Sequence, residues 1–313
     1  MLNIVENFFE PDGDLSYEYF NKGYSTKKWI ITCKNKQYIL KKIPTKNDLR
    51  AKFIMQIHEY LYENNMTVEI ISTIDGGKIL KKDGKFYIML TKINTDFNNI
   101  TNIEFAKLLA KLHSILNLYP SNIESVNIKN YKLFNFNELN NKTSKYREII
   151  EFKYSILQKN KFLKKKINNK IIHGDFYEDN VLFEKKTNMF YIIDFDNTSY
   201  GSRSYEIISS GLKCCFNIDS EIMLENFLNY LKTYISHSCN VNLESFQDLY
   251  DFLEEAEFVI ANDTYLIDDK NYNKKYTHRY IYFRFTLLKW YVENKVLIYN
   301  ELKFFIYNGE YLK

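Results

Sequence analysis

The chain has little of the two residues that most often interrupt regular structure, with 3 Pro and 9 Gly among 313 residues. That excludes a collagen-like or Pro/Gly-rich low-complexity chain, and no Pro/Ser-rich linker divides it. Its four cysteines, Cys33, Cys214, Cys215 and Cys239, lack C-x-x-C spacing. They suggest neither a disulfide framework nor a zinc site, and reduced thiols in a cytoplasm are expected. The five histidines (His58, His113, His173, His237 and His278) never stand at metal-ligand spacing, which argues against a zinc hydrolase. No apolar run reaches the roughly 18 residues of a membrane span. The opening Met-Leu-Asn-Ile-Val-Glu-Asn meets acids at Glu6, Glu10 and Asp12, so no secretory signal is expected. A formal net charge of +4 is too small to imply nucleic acid. These absences leave the expectation of a cytoplasmic globular protein with neither membrane nor nucleic acid as partner.

What is present is ordinary in bulk: 45% hydrophobic and 26% charged residues, in a chain long enough for one large domain or two modest ones. The aromatic share of 17%, from 27 Tyr and 24 Phe, is high. Beside so much Asn, Ile and Lys it reads as the signature of AT-rich coding rather than of a binding surface.

The first ninety residues alternate as strands do. Thr26 to Thr32 and Gln37 to Ile43 flank Lys34-Asn35-Lys36 like the arms of a hairpin. A helix is expected over roughly Asp48 to Asn64, with Phe53, Ile54, Ile57, Tyr60 and Leu61 on one face. Strands are then expected over Val68 to Ile74, Lys78 to Lys81 and Lys85 to Thr91, with turns at Asp75-Gly76-Gly77 and Asp83-Gly84. From about residue 100 the period becomes helical. Thr101-Asn102-Ile103-Glu104 fits a capping box, followed by an apolar stripe of Phe105, Leu108, Leu109, Leu112 and Leu116. Ile171 to Asp196 interrupts with strand and turn signals, and helical patterning returns after Tyr205. The fold class expected is α+β, a β-rich lobe over 1–93 followed by a mostly α-helical lobe over 94–313.

The segment Ile171-Ile172-His173-Gly174-Asp175-Phe176-Tyr177-Glu178-Asp179-Asn180-Val181-Leu182-Phe183 carries the chemistry. Asp194 follows fourteen residues after Asn180, inside Ile192-Ile193-Asp194-Phe195-Asp196. Phosphoryl transfer needs a carboxylate to accept a proton from the attacking hydroxyl, and oxygen ligands for Mg²⁺ on the nucleotide phosphates. An Asp and an Asn five apart on one loop can divide those tasks, and an Asp at the end of the next hairpin can complete the metal site. The other reading of the same residues is a buried hairpin with incidental acids at its turns.

H-G-D-x-x-x-x-N followed by I-D-x-D at hairpin spacing resembles the aminoglycoside phosphotransferase / choline kinase family, which includes kinase-like relatives in spore coats. The resemblance implies a protein-kinase-like two-lobed fold, with a small antiparallel N-lobe and a larger helical C-lobe. It implies ATP, with GTP left open, and Mg²⁺. It makes Asp175 the catalytic base, with His173 buttressing its loop. Asn180 and Asp194 become metal ligands, and Asp196 an accessory acid. Tyr38-Ile39-Leu40-Lys41 is similar to the family's third strand, whose Lys holds the α- and β-phosphates. Alternation places Ile39, facing adenine, on the same side as Lys41; two solvated lysines on an edge strand is the competing reading. Gly23 and Ser25 lie where the phosphate-covering loop should be, and Leu90 lies in the strand entering the hinge. Glu59 is the candidate to pair with Lys41, although it projects about 200° from Ile57 on a helical wheel. His113 is assigned to packing or helix stabilisation.

From Asn242 to Asp269 there are nine acids and no Lys or Arg: Glu244, Asp248, Asp251, Glu254, Glu255, Glu257, Asp263, Asp268 and Asp269. Such a region suits a cationic acceptor, for example an aminoglycoside or a choline-like amine; a solvated helix face is the competing reading. Tyr265, Tyr272, Tyr276, Tyr280, Tyr282 and Trp290 are further candidates for cation contacts. The function expected is a phosphotransferase that moves the γ-phosphate to a hydroxyl of a small molecule. A spore-coat-type structural relative with little or no turnover is the alternative.

Overall fold

The structure, a computed structural model, describes residues 2–10, 15–20, 26–95, 100–120, 146–160, 169–238, 243, 245–262 and 275–308. By contact the chain divides into two units, one made of Met1–Asn99, Leu118–Asn127 and Glu178–Thr198, the other of Ile100–Asn117, Ile128–Tyr177 and Ser199–Lys313. The β-rich patterning ends near residue 93, but contact assigns the later segment Glu178–Thr198 to the first unit.

The first unit opens with a short helix α1 (Leu2–Val5) and strand β1 (Ser16–Phe20). Lys34 and Asn35 then take left-handed backbone, φ 47 and 62. Two such residues in succession make a tight turn whose twist matches that of paired strands. It joins β2 (Lys28–Cys33) to β3 (Lys36–Ile43) with Cys33 opposite Lys36 and Lys28 opposite Lys41. Adding β4 (Ile70–Ile71), β5 (Leu80–Lys82) and β6 (Lys85–Thr91) gives a six-stranded antiparallel sheet, ordered β1-β2-β3-β6-β4 with β5 also on β6. The strand expected over Val68 to Ile74 is only two residues long. The backbone of Thr73 bonds to Gly77 and that of Ile74 to Asn7, so both groups are used before they can join a ladder.

One face of the sheet buries Ile31, Leu40, Tyr87 and Met89 against Val5 and Phe8. By alternation the other face carries Ile39, Lys41 and Ile43 on β3, opposite Leu90, Ile88 and Phe86 of β6. Helix α2 (Asp48–Glu63) is capped by Asn47, whose side chain accepts the Arg50 N–H. It buries Ala51, Phe53, Ile54, Ile57, His58 and Leu61.

The second unit is helical. It contains α3 (Asn102–Asn117), α4 (Arg147–Lys159), the antiparallel pair β7 (Asn169–Ile172) and β10 (Ser199–Ser202), then α5 (Arg203–Cys214), α6 (Ser220–His237), α7 (Phe246–Asn262) and α8 (Lys275–Tyr307). The capping box forms: Thr101 and Glu104 exchange backbone and side-chain bonds at the start of α3. Ser202 caps α5 by accepting the Tyr205 N–H, and Asp219 caps α6 by accepting those of Glu221 and Ile222. At Gly211 a Cβ would lie 2.5 Å from the Tyr230 ring, so only glycine lets α5 sit this close to α6. Phe105 of α3 packs on Phe176, ring centroids 4.6 Å apart, beside Phe227 and Tyr230. Among the described residues no helix is long and apolar enough to cross a membrane.

Candidate active site

In the first unit, strands β8 (Val181–Glu184) and β9 (Met189–Ile192) form the second hairpin of the motif, with Val181 opposite Ile192. The Ile193 N–H donates to the Asn180 carbonyl at 2.9 Å. Asn180, buried at the end of a single 3-10 turn, and Asp194 therefore flank the same open end of the hairpin. Asp194 has left-handed backbone, φ 69 and ψ 57, a conformation that costs an L-residue energy and persists only where its surroundings enforce it.

Those surroundings are cationic. Lys41 Nζ lies 2.6 Å from Asp194 Oδ1 and 2.7 Å from Asp196 Oδ1, and Lys28 Nζ lies 3.1 Å from Asp194 Oδ2. The hairpin register that sets Lys28 opposite Lys41 puts both ammoniums on one face. Burial by itself would raise the Asp194 carboxyl, but Lys41 and Lys28 outweigh it and hold the group well below its ordinary value. Burial, then the charge of Asp194, pushes Asp196 up against the pull of Lys41. The two carboxylates act as a pair, with Asp194 the member kept ionised. Lys41 itself is pushed up, because Asp196 and Asp194 together exceed the effect of its burial.

Glu59 is not among the charged partners of Lys41. The wheel angle explains why: the buried stripe of α2 includes His58 and leaves Glu59 half-buried beside it. His58 Nε2 donates to the Val68 carbonyl at 2.7 Å, and its ring meets Phe195 edge-on at 5.2 Å. Burial pushes its pKa down to about 4, with the charge of Lys41 adding to the effect. A neutral His58 therefore lies where the sequence reading looked for an acid. The link from α2 to the Asp194 loop is made instead by Arg50, which donates to the carbonyls of Thr198 and, at 2.6 Å, of Asp196. Ile39 and Leu90 are direct cross-strand partners on the Lys41 face. Gly23 and Ser25 lie outside the described residues.

In the second unit the His-Gly-Asp turn is built around a buried glutamate. Gly174 has φ 82, which accounts for glycine there. The N–H groups of His173 and Gly174 donate to Glu206 of α5 at 3.1 and 2.5 Å. His173 is buried, and its Nδ1 accepts the Asp175 N–H at 3.3 Å. Glu206 also accepts from His113 Nε2 at 2.8 Å, while Tyr234 donates its hydroxyl to His113 Nδ1 at 2.7 Å. Burial and the nearby Arg203 push His113 down to about 4, so it serves as a neutral donor. Burial would raise Glu206, but its bond from His113 and the other donors outweigh this and lower it to about 2. Ser210, one turn on, donates to the Phe176 carbonyl at 2.8 Å. Lys213, nearly one turn further, lies 3.6 Å from Asp175 Oδ1. Glu206, Ser210, Lys213, Lys28 and Arg50 all escaped the sequence reading. The available signals were polar residues at i, i+4 and i+7 on a helix that otherwise buries small and apolar side chains, and a Lys opposite Lys41 once the hairpin turn is centred on Lys34-Asn35.

The acid-rich stretch is used internally wherever it is described. Glu254 and Glu257 of α7 both pair with Lys295 of α8. Glu255 accepts from Ser202 and Ser204, Asp248 from Ser245, and Asp251 from Gln247. For Glu254 and Glu257 the α7–α8 packing supplies the countercharge in Lys295, while Asp248 and Asp251 are bonded at the exposed side of α7. Trp290 is largely buried and donates to Ser220 at 2.8 Å, while Tyr280 and Tyr282 are exposed. Glu244, Asp263, Asp268, Asp269, Tyr265 and Tyr272 lie outside the described residues, as does the side chain of Tyr276.

Among the described residues no three His, Cys, Asp or Glu cluster as a metal cage. Mg²⁺ takes one or two carboxylates and completes its shell with water and substrate phosphate; Asp194 and Asp196 are two adjacent carboxylates that could serve. Asp196 Oδ2 is buried without a hydrogen bond, an orphan acceptor beside Asp194 of the kind a cation satisfies.

The sequence pattern of a family described as the phosphotransferase enzyme family matches residues 16–235. No protein of curated function matches significantly by sequence. Among solved structures, an amicoumacin kinase in complex with AMP-PNP and Ca²⁺ superposes with TM-score 0.66 at 12% identity over 92% of each chain. A microcompartment-associated aminopropanol kinase gives 0.66 at 12% identity, over 94% of this chain and 98% of that one. An ethanolamine kinase from Plasmodium vivax gives 0.58 at 16% identity, over 92% and 85%. At these identities the likeness establishes the protein-kinase-like fold.

Proposed function

The chain belongs to the phosphotransferase enzyme family, and from that premise we propose that it transfers the γ-phosphate of ATP to a hydroxyl of a small molecule, with Mg²⁺. The observation that carries the reading is Asp194, held in a left-handed turn with Lys41 and Lys28 on its carboxylate. A turn so strained and so charged is a costly way to end a hairpin, and it suits a carboxylate that must stay ionised for a metal.

In this reading Asp194 and Asn180 hold the metal, with Asp196 as the adjacent acid. Bound Mg²⁺ would neutralise charge on the nucleotide phosphates. Lys41 and Lys28 supply positive charge for the phosphates, and Ile39 with Leu90 offers the apolar surface for adenine. Asp175 orients the acceptor hydroxyl and takes its proton. The hydroxyl oxygen bonds to the γ-phosphorus as the bond from that phosphorus to the β,γ-bridging oxygen breaks, leaving ADP and a phosphate ester. Glu206, through the N–H groups of His173 and Gly174, keeps that loop in register.

The test is acceptor-dependent ADP release with Mg²⁺ across aminoglycosides, choline, ethanolamine, aminopropanol, hexosamines and homoserine. Asp175→Asn should abolish any hit while leaving the melting temperature nearly unchanged. Retained turnover in that variant would remove the role given to Asp175. Absence of nucleotide binding would sink the kinase reading altogether.

A further inference from the structure

We propose that Lys213 is the positioning residue for the Asp175 carboxylate, an inference that rests on the reading of Asp175 as proton acceptor. The His-Gly-Asp-Phe-Tyr segment, residues 173–177, contains no Lys or Arg. The cation beside Asp175 comes instead from the last turn of α5.

Helix α5 meets this segment with one face. Positions 206, 210 and 213 stand at i, i+4 and i+7, which aligns them along the helix. Glu206 takes two backbone N–H groups and Ser210 takes a backbone carbonyl, so the first two anchors fix the main chain. The third deals with side chains: Lys213 Nζ lies 3.6 Å from the Asp175 carboxylate and 5.3 Å from the centroid of the Tyr177 ring. A cation over an aromatic face at that range is attracted by the ring quadrupole, which gives the ammonium a second hold. The phase of the face is locked as well, since Gly211 lets α5 close onto Tyr230 and Phe227.

A lysine in a last helical turn is favoured by the helix dipole wherever it points. That reading would leave its ammonium in water, yet the Lys213 side chain is only 16% exposed. The separation from Asp175 is also informative. At 3.6 Å the contact is an ion pair, longer than the roughly 2.7–2.9 Å of a charge-assisted hydrogen bond. An ammonium at this range orients the carboxylate without tying up the lone pair that must receive the hydroxyl proton.

The experiment uses the full chain and ADP release from MgATP with water as acceptor, so the natural acceptor need not be known. Lys213→Met should lower kcat about tenfold, a fraction of the ~100- to 10,000-fold a positioned base contributes. KM for MgATP should hold within about twofold, and Lys213→Arg should restore most of the loss. Wild-type kcat in Lys213→Met alongside an inactive Asp175→Asn would overturn the role of Lys213 and leave Asp175 standing. A loss that Lys213→Arg does not restore, or one confined to KM, would overturn it too. If Asp175→Asn keeps full turnover, the parent reading fails and this one with it. No ADP release from the wild type, with water or any acceptor of the panel, counts against both. Lys213→Gln serves as the neutral variant should Lys213→Met fail to fold.

Discussion

Two buried clusters in this protein have the same composition, two carboxylates around a lysine. In the first unit Lys41 joins Asp194 and Asp196; in the second Lys295 joins Glu254 and Glu257. Each even leaves carboxylate oxygen buried without a hydrogen bond, on Asp196 in one and at Glu254 Oε2 in the other. Composition and burial therefore do not separate a site from a structural ion cluster. Backbone does. Glu254 and Glu257 stand at i and i+3 on a regular helix, where an ion pair costs no conformational strain. Asp194 sits in a left-handed turn, receives a second lysine, and is followed by carbonyls that Arg50 clamps. A strained and over-constrained carboxylate is the one expected to do chemistry.

The comparison would break most visibly at Lys295. Lys295→Met leaves two buried carboxylates without their countercharge and should cost about 3–5 kcal/mol, read as a large drop in the urea midpoint. Turnover per folded molecule should not change; a loss of kcat at full folding would make this cluster functional after all. Next in size is Asp194→Ala, expected to lower kcat/KM for MgATP about a hundredfold or more, ~2.7 kcal/mol or above. Normal turnover at low Mg²⁺ would remove the metal role.

A third site, the single buried carboxylate Glu206, has no lysine and sharpens the comparison through pH. Its folded value near 2 lies below the ordinary 4.5, so its stabilisation is present above pH 4.5 and is lost as pH falls toward 2. His113, neutral in the fold with a value near 4 against 6.5, removes stability as pH falls from 6.5 to 4. Stability should thus decline in two stages on acidification, and Glu206→Gln should flatten the lower one by about 3 kcal/mol. An unchanged acid limb in that variant would contradict the assignment. The smallest effect is expected at Arg50, which has no counterpart in the Lys295 cluster. Arg50→Ala should raise the Mg²⁺ needed for half-maximal nucleotide binding about fivefold, ~1 kcal/mol, measured by titration at fixed ATP. No change would make Arg50 a purely structural strap.

Much of this was legible beforehand for local reasons. The helix over Asp48 to Glu63, the Thr101–Glu104 capping box and the strand over Lys85 to Thr91 follow from periodicity and cap chemistry, which act within a few residues. The motif spacing from Asn180 to Asp194 is one hairpin, so its two ends had to meet. The miss at Glu59 was local as well: its wheel position spoke against burial, and His58 took the inward place. Within the acid-rich stretch, Glu254 and Glu257 find their countercharge in Lys295, some forty residues away in sequence, which no local pattern shows.

The sequence by itself determined the elements, the order of the two kinds of patterning and the chemistry-bearing motif, because those depend on neighbours in the chain. Only the tertiary structure decided the pairings: Lys28 and Lys41 on Asp194, Arg50 on the following carbonyls, Lys295 on the α7 acids, Glu206 and Lys213 on the loop around Asp175. Burial makes each of those charges seek a partner, and which partner lies within reach is set by how strands and helices pack, not by distance along the chain.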